Sequence, residues 1–178
     1  MQKITKIILV VVISSVILTG TSLGIWFTLK EQVLGNHPDP DWELMITGSV
    51  IGGDFNITLQ EIIDMPWFER NYIIRGTTTN TYTYRGVSLN YLFNTELPIT
   101  DNATTVTFIA IDAYQISFAI ADMIAEEARI LAYARDGQYL LNQTAGGNGY
   151  LRLIIPPEND EDFNGPNCLK WIVEIKFS

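Results

Sequence analysis

Apolar and polar residues exchange places along this chain in short runs, most of them too brief for a long helix. "ELMITGSV" and "FNITL", at residues 43–50 and 55–59, predict paired strands around the turn "IGGD". Thr58 and Glu61 form a T-x-x-E capping box, which opens a short helix "LQEIIDM" that Pro66 stops. "NYIIRG" and "TYTYRG" are rich in β-branched and aromatic residues and predict two more strands, with polar "TTTN" as the loop between them. Ser88 stands where it would cap a second short helix, "LNYLF". "TTVTFIAI" and "AYQISFAI" read as strands meeting near Asp112, and "ADMIAEEA" has helical composition. "RILAYA" and "QYLL" flank Asp136-Gly137, the strongest hairpin signal in the chain. A glycine-rich loop, "AGGNG", leads into "GYLRLIIP", and "PPENDEDFNGPN" separates that run from a last strand in "CLKWIVEIKF". The sum is an α+β domain dominated by strands, with short capped helices between them, over residues 43–178.

The first thirty residues follow another pattern. Residues 7–29 form 23 consecutive positions without a charge, and about 20 suffice for a helix to cross a bilayer. Lys3 and Lys6 precede the run and acidic sequence follows it, so the positive-inside bias places the N-terminus in the cytoplasm and the domain outside the cell membrane. A cleaved signal peptide is the competing reading, although no A-x-A-like site follows the apolar run. Residues 31–42 combine Gly, Pro and Asp without apolar periodicity and read as a linker.

Charge narrows the partners. Net charge is −9, and three of the eleven Lys and Arg but none of the twenty Asp and Glu fall in the first thirty residues. The domain is therefore more acidic still, which argues against nucleic acid as a partner. His37, the only histidine, lies in the linker, and Cys168 is the only cysteine. Neither a disulfide framework nor a His-based metal or triad site is available, and Cys168 reads as a small buried hydrophobe. "AGGNGY" precedes a strand and lacks a Lys-Ser/Thr pair, so it matches no phosphate-binding fingerprint. Residues 158–162 are acidic but lack the ligand spacing of a calcium loop. Asn56, Asn102 and Asn142 stand in N-x-Thr sequons, in keeping with export.

Two cations interrupt the last apolar runs. Arg152 shares strand parity with Tyr150 and Ile154, which leaves it pointing either to water or into a polar cleft. Lys170 shares parity with Ile172, Glu174 and Lys176, the wetter face of the last strand, while Leu169, Trp171, Val173, Ile175 and Phe177 share the other. Should both line one cleft, a phosphate or similar dianion is the fitting ligand, since Arg offers a planar fork and Lys a point charge. Alanine at either position is then expected to weaken ligand retention with little loss of fold.

The series "YRGVSLNYLF", "FIAIDAYQISFAI", "ILAYARDGQYL", "GYLRLIIP" and "LKWIVEI" resembles, in order and spacing, the molybdopterin-binding domain of the sulfite oxidase family over residues 43–177. The resemblance implies a mixed α+β fold, a strand-rich mixed sheet with short helices, and a cleft for the pyranopterin cofactor of molybdenum. It also implies that Arg152 and Lys170 hold the cofactor through its phosphate, and that Asp112 and Tyr114 border the cleft. Ala113 stands between these two where the family usually has Gly. Active members carry a molybdenum-binding cysteine between the first helix and the Gly-Val segment; here Ile74 or Arg75 stands at that position and no thiol is present. Arg75 joins the candidate cofactor-binding residues, and no metal ligand is assigned. Two functions follow as expectations: an exported pterin-cofactor domain, with or without redox activity, or an inactive binding module for another anion or a partner protein.

Overall fold

The computed structural model describes residues 39, 41–142, 147 and 149–178. The expected membrane segment and most of the linker lie outside these residues. Among the described residues no helix is long and apolar enough to cross a membrane.

Among the described residues ten strands form two five-stranded sheets. In the first, β1 (Glu43–Gly48), β2 (Phe55–Thr58), β5 (Thr105–Ala110), β6 (Gln115–Ala119) and β10 (Ile172–Phe177) lie in the order β2-β1-β10-β5-β6. The β1–β10 pair is parallel and the other neighbours are antiparallel, so the sheet is mixed as expected. The second holds β3 (Trp67–Arg75), β4 (Thr79–Ser88) and β7 (Ile130–Arg135), side by side and antiparallel. The far edge of β7 is shared by β8 (Gln138–Tyr139) and β9 (Arg152–Ile154).

The local signals act as their chemistry dictates. Thr58 and Glu61 close both hydrogen bonds of the capping box at the start of α1 (Leu59–Asp64). Asp136 and Gly137 take φ of 51° and 75°, the left-handed pair of a two-residue hairpin between β7 and β8. Leu89–Tyr91 (α2) continues as a π-helical turn, Leu92–Glu96, which seats Phe93 against Phe108 and Phe177 at centroid distances of 6.4 and 5.2 Å. Ser88 precedes it but makes no side-chain cap bond.

Three expectations are corrected. "ADMIAEEA" is helical only over Ile120–Ile124 (α3), because the Arg129 Nη1 group returns to donate to the Asp122 carbonyl and closes the last turn. β3 starts at Trp67, four residues earlier than predicted, where Arg85 of β4 lies 4.4 Å over the Trp67 ring and binds Glu69 at 2.7 Å. Parity along the last strand also fails. Trp171 has φ of 57° and the β10–β5 register shifts between Ile172 and Glu174, so Ile172 joins Ile175 and Phe177 in the core.

Candidate functional site

Beneath β3, β4 and β7, Tyr72, Ile74, Tyr84, Ile130, Ala132, Ile154 and Cys168 pack into one apolar cluster, with Phe68 and Tyr82 against it. Arg152 enters this cluster from β9, a strand whose three residues are all buried. With neither face wet, the choice between water and cleft resolves: only 5% of Arg152 is exposed. Its Nη1 donates to the Tyr84 hydroxyl at 2.7 Å and its Nε to the Cys168 carbonyl at 3.4 Å.

Above it opens a cleft of about 410 Å³. Arg152, Arg135 and Lys170 line it with Ile74, Tyr82, Asn80, Thr77, Thr78, Phe163 and the 165–166 turn. Arg135, opposite Tyr84 in the β4–β7 pair, stacks 4.9 Å over the Tyr82 ring. Burial pushes the Tyr84 pKa up despite both arginines, which keeps it a neutral phenol. Among the described residues no acidic side chain lines the cleft, and Arg135 makes an exposed contact with Asp136 at 3.6 Å. Three cations thus face one space with little to neutralise them.

Lys170 records this crowding. It lies before β10, is exposed, and its pKa is lowered by desolvation, then by Arg152 and Arg135. A bound dianion reverses the last two effects and raises that pKa, so binding is tightest with Lys170 protonated and weakens as pH climbs through its depressed value. Phosphate affinity is therefore expected to fall at a lower pH than an ordinary lysine would give, and to lose this limb in Lys170→Met. Calorimetric titration with inorganic phosphate from neutral into alkaline pH checks it; a flat profile would overturn it.

Arg152 and Lys170, paired from the sequence, come together. Arg75, Asp112 and Tyr114 do not line this cleft. Arg75 turns to the 158–162 loop, bonding the Asn159 carbonyl at 2.8 Å and Asp160 at 3.1 Å. Asp112 and Tyr114 lie at the β5–β6 turn, where the Asp112 side chain accepts from the Tyr114 amide and Ala113 takes φ of 65°, the conformation that favours the family's Gly. Arg135 was not singled out from the sequence. As the residue before a hairpin turn it reads as a solvated strand end, and only the β4–β7 pairing, Tyr84 opposite Arg135, carries it to the cleft.

A second cleft, of about 440 Å³, is lined by Trp42, Tyr150, Trp171 and Ile111 among others. It is richer in rings but has one carboxylate, Asp39, and no cation, so an anion finds its partners in the first.

A family model described as the oxidoreductase molybdopterin-binding domain matches residues 32–178. The chain belongs to that family. No curated protein matches it in sequence. Among solved structures it is similar to the sulfane dehydrogenase SoxCD from Paracoccus pantotrophus, with a TM-score of 0.61 and 17% identity. The match covers 80% of this chain and 39% of that one, so it supports the sulfite oxidase-like fold of the domain alone.

The residues present fit one end of the family's cofactor and not the other. A phosphate finds Arg152, Arg135 and Lys170 in a space free of carboxylates. The metal finds no thiolate. Cys168 is 3% exposed, its Sγ contacts the Ile155 amide and carbonyl at 3.5 Å, and burial raises its pKa. Among the described residues no three His, Cys, Asp or Glu side chains converge on a metal site.

Proposed function

We propose that this family member is a membrane-anchored, extracytoplasmic domain that holds the anionic pterin cofactor by its phosphate. Arg152 and Arg135 present guanidinium forks, Lys170 adds a point charge, and Tyr84 keeps Arg152 in place. The carboxylate-free cluster of three cations supports this reading most directly, because such a cluster is relieved by a dianion. Residues 7–29 support the anchor by their length and flanking charge.

The cofactor, when bound, supplies metal-centred redox chemistry. This chain's own residues supply binding and charge neutralisation, and no oxygen-transfer step is assigned to them, for want of the thiolate. The test is expression of the full chain in a host that makes the cofactor, extraction from the membrane fraction with detergent, and fluorescence of the oxidised pterin. Close to one pterin per chain is the expected yield. A chain free of pterin that still binds phosphate would favour an inactive module for another phosphorylated ligand, and a chain that binds neither would refute the cleft assignment.

A further inference from the structure

The cysteine position of active members falls at Ile74 or Arg75, and strand geometry decides between them. Successive side chains of β3 alternate, so Tyr72 and Ile74 turn inward while Ile73 and Arg75 turn out. Ile74 is buried and lines the cleft. Arg75 is held away by Asn159 and Asp160.

Nor can β3 slip to present another residue. The fully buried Asn164 amide donates to the Ile73 carbonyl at 3.0 Å and the Ile155 carbonyl at 2.7 Å, while its oxygen accepts from the Arg75 amide at 2.8 Å. A shift of one residue breaks all three bonds' geometry and turns Ile74 outward. The other polar groups of that wall, Thr77, Thr78 and Asn80, are neutral oxygen or amide donors, poor partners for a metal that active members bind through sulfur.

We propose that Ile74 closes the metal end of the cleft with a hydrocarbon wall, so that this protein retains the phosphorylated pterin with no protein bond to a metal. This rests on the pterin-binding reading above. Molybdenum would then gain no ligand from Ile74 or the neutral groups beside it, and would be lost during purification.

The test measures molybdenum by mass spectrometry and pterin by fluorescence on one preparation of the full chain, dialysed after loading in a cofactor-competent host. The wild type is expected to keep its pterin with a molybdenum-to-pterin ratio about tenfold or more below one, the scale by which lost ligand support weakens metal sites. Ile74→Cys should bring the ratio toward one and add a sulfur-to-metal absorption band, with pterin unchanged. Ile74→Ser, which removes the same hydrocarbon without adding a thiol, should stay at the wild-type ratio. Equal molybdenum and pterin in the wild type, or a ratio unmoved by Ile74→Cys, would overturn the proposal. A preparation without pterin would instead take down the cofactor reading and this inference with it.

Discussion

Arg152→Ala is expected to cost both ligand and fold. The lost guanidinium leaves the buried Tyr84 hydroxyl and Cys168 carbonyl without their donor, at about 2–4 kcal/mol of stability for a severed buried charged hydrogen-bond pair. Phosphate affinity should fall by at least about a hundredfold, since a charge-assisted forked contact is worth roughly 3 kcal/mol. The cleft reading of the sequence expects little loss of fold at this position; burial on both faces of β9 reverses that. Lys170→Ala separates the two effects. That side chain is exposed, so stability should stay within about 0.5 kcal/mol while phosphate affinity still drops. Arg152→Lys keeps the charge but has no second arm for Tyr84 and should resemble the alanine variant in stability more than the wild type. Urea denaturation beside phosphate titration reads both quantities, and an Arg152→Ala protein as stable as Lys170→Ala would sink the account.

Gly149→Ala should be nearly as damaging, through backbone alone. Gly149 has φ of 81°, and a Cβ there would lie 2.5 Å from the Trp171 Cα. Trp171 is itself left-handed at φ of 57°, held by its indole donating to the Gly147 carbonyl at 2.8 Å and by its own carbonyl accepting from the Ile111 amide at 3.0 Å. The added methyl displaces the residue next to Lys170, so the expected loss is about 3 kcal/mol or more, with weaker phosphate binding. Gly53→Ala provides the control. Its φ is 90°, but a Cβ there meets nothing within 4 Å, which leaves only the left-handed penalty of about 1–2 kcal/mol. Equal losses in the two variants by denaturant titration would show that the approach to Trp171 contributes nothing.

Features that rest on neighbouring residues were legible before any coordinates. The Thr58–Glu61 capping box and the Asp136-Gly137 turn each rest on bonds or dihedrals within four residues. The Arg152–Lys170 pair was legible for another reason, since an ordered series of motifs carries the register of the whole domain. What stayed hidden depends on pairing across the chain. Arg135 becomes a cleft residue only by lying opposite Tyr84, 51 positions earlier. The burial of Arg152 needs β9 to be covered on both sides, and alternation assumes one wet face. The inward turn of Ile172 needs a bulge that no residue type announces.

The parallel pairing of β1 with β10 has a consequence in time. β10 enters between β1 and β5, with Met45 opposite Glu174 and Phe108 opposite Ile175, so the first and last strands of the domain meet inside one sheet. Until the final strand arrives, the β1–β2 and β5–β6 hairpins are separate ribbons with bare inner edges, and contacts this distant along the chain form slowly. Lys170 sits just before that strand. The third charge of the cleft is therefore set in place by the same event that closes the sheet, and a phosphate bound there marks a chain that has finished folding.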